Sequence, residues 1–477
     1  MGACCLVAAL AGCVSRPNPA PDLRLPAAYE AFQLAPVAAV SLDRWWTCFD
    51  DVQLDELIEQ ALAANPDMKS AAARLREVVA TRTSALTRFL PQGNATASAT
   101  KTDTTQHEGP VSTLPEGLVI PGLTSGGGIT ETTAANFNVS WEVDLFGRLF
   151  ATRRATKADV AAARFDYESA RASLAAQVAD AYFQARGLAI QLSDAHETAR
   201  IQRELYDLVV KRVHAGLSAS SAPDRVAGDL ARSEAQVAAL EADLQVQRRT
   251  LLILAGRTFD PFTSVEVLPS VGTAPAVPTF LPSDLLRRRP DVRSAEAQVR
   301  GALGREDLAR LAFLPTFTLQ PGVGWSRSVQ NDTTFVTSSW SIGAAVVQPV
   351  LDIPNLLAQL RIQNARTAQV VAAYEKTLQT AFGEAEGALL RLDANRRRVA
   401  LLSDGEARAQ RAYRAAHLGY TRGINDLETT LASEQSWRAT RAELTAAQVG
   451  TLRQAISAFK SLGGGWPADA FEENQTR

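Results

Sequence analysis

Between residues 148 and 214, small and apolar positions recur at alternating intervals of three and four: Ala155, Ala158, Ala162, Phe165, Ser169, Ala172, Ala176, Ala179 and Phe183. That spacing lays a narrow seam along one side of an α-helix. With no proline inside it and only Gly187, the stretch predicts one unbroken helix from about Arg148 to His214. At 1.5 Å per residue such a helix is roughly 100 Å long, more than a compact globular domain needs. Small seam residues let a neighbouring axis come close. A second stripe, Leu174, Val178, Ala181, Ala185, Leu188 and Leu192, falls on the opposite face. Opposed stripes give the helix a neighbour on each side, as in a wall of helices that closes into a barrel.

The second half carries a similarly long, Ala-rich pattern from about Asn355 to Tyr420. Shorter helices are predicted over Pro66–Phe89 and Asp224–Leu254 in the first half, and over Asp291–Phe313 and Asp426–Ser461 in the second. In each half the two short helices together hold nearly as many residues as the long one, so that stacked end to end they can run beside it. A further short helix, Asp50 to Ala64, puts Leu54, Leu57, Ile58, Ala61 and Leu62 on one face behind Trp45-Trp46, a pair read as packing.

The halves are copies. Asn65-Pro66-Asp67 opens a run that ends at Phe89-Leu90-Pro91, and Arg289-Pro290-Asp291 opens one that ends at Phe313-Leu314-Pro315, with 25 residues from proline to proline in both. Two strand-like segments, a long helix, a glycine-bearing turn and a shorter helix follow each Phe-Leu-Pro. Self-similarity of this kind sets the architecture before any single motif does.

The strand segments have a period of two. Phe137, Val139, Trp141 and Val143 alternate with Asn136, Asn138, Ser140, Glu142 and Asp144; Phe317, Leu319, Val323 and Trp325 alternate with Thr316, Thr318, Gln320 and Gly324; Trp340, Ile342, Ala344 and Val346 repeat the pattern. Apolar on one side and polar on the other suits a strand between lipid and a watery lumen. The fourth segment, Ala95 to Lys101, alternates only Ala with Thr and Ser. The stretches Asp103–Thr133 and Ser328–Thr334 are expected to be the loops of the two hairpins.

Composition removes several functions. The 49 basic and 51 acidic residues leave a net charge of −2, no field for nucleic acid. Beyond the N-terminus no apolar run approaches the roughly 18 uncharged residues of a spanning helix, so a membrane can be crossed only by strands. Cys4, Cys5, Cys13 and Cys48 have no metal-ligand spacing, and His107, His196, His214 and His417 stand beside no nucleophile or second ligand. His214 and His417 precede equivalent helix turns and are read as solvated. Gly126-Gly127-Gly128 lacks the strand-to-helix setting of a phosphate loop and counts as loop. Arg287-Arg288-Arg289 is expected to tie down the start of the second repeat. No catalytic, cofactor or metal site is expected.

Residues 1–15 are apolar and uncharged, then a proline-rich polar segment runs from Arg16 to Pro26. This reads as a secretion signal and linker. Leu10-Ala11-Gly12-Cys13 matches a lipoprotein box, in which Cys13 carries an S-diacylglycerol and an N-palmitoyl chain. With Val14 and not Asp after the cysteine, sorting to the outer membrane is expected. The resulting division is 1–12 signal, 13–44 lipidated linker, 45–280 first repeat, 281–466 second repeat and 467–477 tail.

Taken together, the lipobox at Cys13, Trp45-Trp46 with Leu57-Ile58 and Ala61-Leu62, the run Ser140 to Arg148 (SWEVDLFGR), the run Leu285 to Val292 (LLRRRPDV) and the terminal Leu462 to Trp466 (LGGGW) resemble an outer-membrane efflux factor of the TolC-like type, in the lipoprotein branch called NodT. The resemblance implies a mixed α and β fold, with a long α-helical coiled-coil barrel continuous with a β-barrel to which each subunit of a homotrimer gives four strands. It implies a duct through the outer membrane of a Gram-negative bacterium, with a large periplasmic part. Its partners would be a periplasmic adaptor and an inner-membrane pump, expected to be proton-driven. The glycine turns, with Gly216, Leu217, Gly423 and Ile424, would form the periplasmic tip that meets the adaptor. Acids beyond such turns line the constriction in that family. Ala432 stands where an Asp is common, so Asp224, Asp426 and Glu428 are the candidates here. The rival readings are a lipid-anchored periplasmic coiled-coil scaffold or adaptor, which predicts no barrel, and an enzyme with a helical lid.

Overall fold

The computed structural model describes residues 42–105, 128–278, 288–330 and 333–466. Cys13, the signal segment, the first hairpin loop and the tail lie outside them. The elements in order are α1 (Val52–Ala64), α2 (Pro66–Thr87), β1 (Gln92–Thr104), β2 (Gly128–Val143), α3 (Arg148–His214), α4 (Ala222–Leu254), α5 (Pro290–Leu311), β3 (Thr316–Gln330), β4 (Thr333–Val347), α6 (Ile353–Thr421) and α7 (Leu427–Ser461). Among the described residues no helix is long and apolar enough to cross a membrane.

The repeat is metric. Pro66, Thr87 and Gln92 correspond to Pro290, Leu311 and Thr316, each 224 residues on; past the hairpins, Arg148 and Ala222 correspond to Ile353 and Leu427, each 205 on. Caps set the boundaries. Asp51 accepts from the N–H groups of Gln53 and Leu54, which starts α1 at Val52 and not at Asp50. Asp426 accepts from the Thr429 N–H at 2.8 Å and stands just outside α7. Phe89 and Phe313 fall in the turns after α2 and α5, each two residues beyond the helix end.

The strands form one antiparallel sheet in the order β1-β2-β3-β4. They run longer than their alternation suggests. β1 pairs with β2 from Gln92↔Ser140 to Thr104↔Gly128, so Gly128 to Thr133 is strand and not loop. β3 and β4 stay paired up to Gln330↔Thr333, so Ser328 to Gln330 and Thr333 to Thr334 of the expected loop are strand. Threonine and serine suit a ladder even where they give no hydrophobic signal. The register aligns Ala95, Phe137, Val323 and Trp340 in one row of one face, and Thr96, Asn136, Gly324 and Ser339 in a row of the other. Among the described residues β1 and β4 pair only with their inner neighbours, so each leaves one edge open.

The chain divides into two compact units, and α2, α3, α5 and α6 each pass from one to the other. One unit, residues 78–160 and 299–369, contains the sheet and the adjoining helix ends. Here the seam of α3 meets α5 closely: a Cβ added at Gly304 would lie 2.9 Å from the Ala155 backbone nitrogen. Arg148 donates to the Leu311 and Leu314 carbonyls at 3.0 and 2.8 Å, and Asp144 accepts from four N–H groups between Phe146 and Leu149. The motif around Trp141 to Arg148 is thus a hinge-stiffener between strand and helix.

The other unit holds the main core. Trp45 stacks on Phe459 with centroids 5.7 Å apart and meets Trp46 edge-on, beside Phe49, Phe183 and Tyr182. Every seam residue of α3 is buried except the half-buried Ser169, and the opposite stripe packs into the core. On the seam side Gly187, four residues past Phe183, receives Val449 of α7, which would lie 2.7 Å from an added Cβ, whereas on the opposite stripe the Ala181 carbonyl accepts from Gln247 of α4 at 3.1 Å. Two opposed stripes therefore do have two sets of neighbours, as the sequence predicts.

Candidate functional site

α3 and α6 end in the same structure. Gly216 and Gly423 have φ of +73° and +77°. The Gly216 N–H donates to the Val213 carbonyl and the Leu217 N–H to that of Arg212; the Gly423 N–H donates to Tyr420 and the Ile424 N–H to Gly419. This is the Schellman termination, for which glycine is the residue of choice because a left-handed φ strains any residue with a Cβ. Leu217 and Ile424 occupy the position that commonly folds back onto the helix. Here they are 68 % and 76 % exposed, so two apolar side chains project from the two turns.

Beneath the turns lies a core of their own: Ile201, Leu205, Val209, Val226, Tyr413, Tyr420 and Leu431. Arg212 bridges α3 to α6, with its guanidinium 4.6 Å from the centre of the Tyr420 ring and donating to the Tyr420 carbonyl at 2.9 Å. Tyr413 stacks on Trp437 at 5.3 Å, and the Trp437 indole N–H donates to Glu406. Sequence reading missed Arg212, Tyr420 and Glu434, because an arginine or tyrosine in a long helix has no mark of its partner 200 residues away.

The candidate acids are all exposed, each in the first turn or at the cap of its helix. Asp224 opens α4, the counterpart of the start of α7 where Asp426 and Glu428 lie. The Thr429 hydroxyl and N–H hold the Asp426 carboxyl below the usual carboxylate range. Asp426 therefore has a structural task as a cap, and one subunit does not cluster the three. His214 is exposed as expected. His417 is not: it is half-buried against Tyr413, with Nδ1 enclosed. Arg289 is buried and bonded to both ends of its surroundings, so it ties down the second repeat and is no solvated charge. Among the described residues no cluster of His, Cys, Asp or Glu could hold a metal.

The sheet's two faces differ in chemistry. One carries Phe137, Val139, Trp141, Val323, Trp340 and Ile342; the other carries Asn94, Thr96, Asn136, Asn138, Ser339 and Ser341, neutral and hydrogen-bonding. A sheet with one apolar and one polar face, in a chain whose helix pairs end in exposed apolar turns, has the parts of a channel. The model of the outer membrane efflux protein family matches residues 57–257 and 281–464, one segment in each repeat. The chain belongs to this family. It is 27 % identical to the pyoverdine export outer membrane protein OpmQ of Pseudomonas aeruginosa, over 98 % of this chain and 97 % of that one. It is 26 % identical to the cation efflux system protein CusC of Escherichia coli, over 97 % and 98 %. The solved structure of the outer-membrane channel OprN superposes with a TM-score of 0.79 at 27 % identity, covering 94 % of this chain and 99 % of that one. The protein is thus an outer-membrane efflux channel of the TolC-like fold, a transport protein of Gram-negative bacteria with a large periplasmic helical part.

Proposed function

We propose that the chain is one third of a closed exit duct, which passes small molecules by diffusion from an inner-membrane pump and its periplasmic adaptor to the exterior, with no catalysis of its own. The observation that carries this is the pair of open edges on β1 and β4. In hydrocarbon an unpaired strand edge leaves its N–H and C=O groups without partners, at several kcal/mol each, so other copies must close the sheet. Three copies of four strands give twelve, a barrel wide enough for a water-filled lumen. The neutral polar face then lines that lumen. Relatives are named for pyoverdine and for cations, which supports a passage whose selectivity is set by the pump and not by the barrel.

At the other end, the apolar pairs Leu217 and Ile424 with their glycine turns fit the tips of an adaptor's helices. Threefold symmetry would bring three copies each of Asp426 and Glu428 near one axis, where like charges favour cations. The purified protein in detergent should size as a trimer and form cation-selective pores in planar bilayers. Asp426→Asn combined with Glu428→Gln is expected to lower cation selectivity and weaken block by divalent cations from the tip side. Wild-type selectivity and block in that variant would mean that the acids only start their helix, and a monomer without pores would remove the duct.

Cys13 is the proposed lipid anchor, on the strength of the lipobox. Palmitate labelling should disappear in Cys13→Ser; labelling that persists, or maps to Cys4 or Cys5, would show the anchor to be elsewhere.

A further inference from the structure

In the unit below the turns, α3, α4, α6 and α7 enclose a carboxyl that has too few donors. Glu434 on α7 is 0 % exposed and Gln202 on α3 is 1 % exposed. The Gln202 Nε2 donates to Glu434 Oε2 at 2.7 Å. The other oxygen of each side chain, Glu434 Oε1 and Gln202 Oε1, is buried and accepts no hydrogen bond. Two orphan acceptors in one amide–carboxyl contact are short of one donor. A proton on Glu434 Oε1 supplies it, because a carboxylic acid and an amide can exchange two hydrogen bonds, each donating one and accepting one.

The charged and titratable neighbours on all four helices do not supply that donor. On α7 itself, Arg438 Nη2 lies 3.3 Å from Oε1, an ion-pair distance without hydrogen-bond geometry, on a side chain that is part-exposed. On α4, Asp229 opposes ionisation of Glu434. On α6, the Tyr413 phenol is itself pushed up to about 12 by burial and by Glu434, and His417 lies against that ring. On α3, Arg200 and Glu204 act on Tyr413 with opposite signs and bond to each other. Burial is the largest influence on Glu434, exceeds the pull of Arg438, and raises its carboxyl to about 7.

We propose that Glu434 and Gln202 form a proton-operated latch between α3 and α7, doubly hydrogen-bonded while Glu434 carries its proton and replaced by a buried anion when the proton leaves. The folded-state value is raised above the ordinary 4.5 of a glutamate. The latch's contribution is therefore fully present below about 4.5 and is lost as pH rises through about 7, since the folded chain then gives up a proton that the unfolded chain has already released. Glu434 is seven residues into α7, roughly 10 Å along the helix from the Gly423 turn, so loosening begins just behind the tip. That the latch acts on the mouth of a duct rests on the exit-duct reading; the latch itself does not.

The test uses the full-length protein in detergent. Difference infrared spectra of wild type against Glu434→Gln should show a protonated-carboxyl stretch that belongs to Glu434 and vanishes with a midpoint near pH 7. Hydrogen exchange over residues 196–209 and 427–441, corrected for the intrinsic rates, should rise at least about tenfold across the same window in wild type, while the variant, permanently neutral, stays flat. A missing band at low pH, or an exchange rise that persists in Glu434→Gln, would overturn the latch. Should that variant not assemble, Gln202→Met removes the donor to Oε2 and should move the midpoint of the band upward; an unmoved midpoint overturns the proposal equally. A protein that shows the band and the exchange step but forms no pore at any pH would sink the exit duct and leave the latch standing.

Discussion

Arg289→Met is expected to destabilise the protein by about 3 kcal/mol, the lower end of the range for removing one partner from a buried ion pair. Arg289 donates to Asp291 and Glu384 at 2.6 and 2.8 Å, and to the Ala381 and Ser461 carbonyls at 3.3 Å. It therefore joins the start of α5 to the middle of α6 and the end of α7. Methionine keeps much of the stem's packing but takes one donor from each of two carbonyls and the counter-charge from two acids. Both acids are partly exposed, and can recover some hydration, which is why the lower end applies. Burial acts to raise the Asp291 carboxyl, but the hydrogen bond and charge of Arg289 outweigh it and the net shift is downward. A depressed acid stabilises the folded state above its ordinary value, and that contribution is lost as pH falls through the folded one. Chemical denaturation of the detergent-solubilised protein should thus show a smaller loss on acidification in Arg289→Met than in wild type. Equal midpoints at neutral pH would mean that the network adds nothing.

Trp45→Ala is expected to cost about 3–4 kcal/mol, in the lower half of the range for truncating a buried aromatic side chain. The ring is fully buried, stacked on Phe459 and edge-on to Trp46 and Phe49. Its Nε1 has no hydrogen-bond partner, so truncation also removes an unsatisfied donor, which offsets part of the loss. The cavity would open beside the C-terminal strap, where the Gly465 N–H donates to the Leu42 carbonyl at 2.8 Å and the Trp466 indole donates to that of Arg288 at 2.8 Å. The thermal midpoint should fall accordingly. A midpoint unchanged in Trp45→Ala but lowered in a strap variant would assign the stabilisation to the strap alone.

Helices were legible wherever periodicity and breakers agreed. Arg148 and His214 bound α3 as the sequence predicts, because the seam begins after the Gly147 turn and ends before Gly216. The weak strand β1 was found but underestimated, since its Ala, Thr and Ser residues are held by thirteen register partners in β2 and not by side-chain hydrophobicity. The tip was legible in its glycines and only half legible in its acids. Asp426 is accounted for locally as a cap that accepts from the Thr429 N–H. Least legible was the enclosure of Glu434: a glutamate in a helix with a charged look is ordinarily a solvated one, and only the approach of Gln202 from another helix distinguishes it.

The alternation of the strands also governs how such a chain can reach its membrane at all. A segment that is apolar only at every second residue never presents the run of about twenty consecutive apolar residues that halts a polypeptide in the lipid of the inner membrane during export. Phe137, Val139, Trp141 and Val143 pass as a mildly polar stretch, because Asn138, Ser140 and Glu142 interrupt them. They become a continuous greasy surface only after the ladder with β1 and β3 has sorted the two sets onto opposite sides. The apolar surface that suits a bilayer is thus withheld until the backbone pairs, separately from the sorting signal expected at Val14.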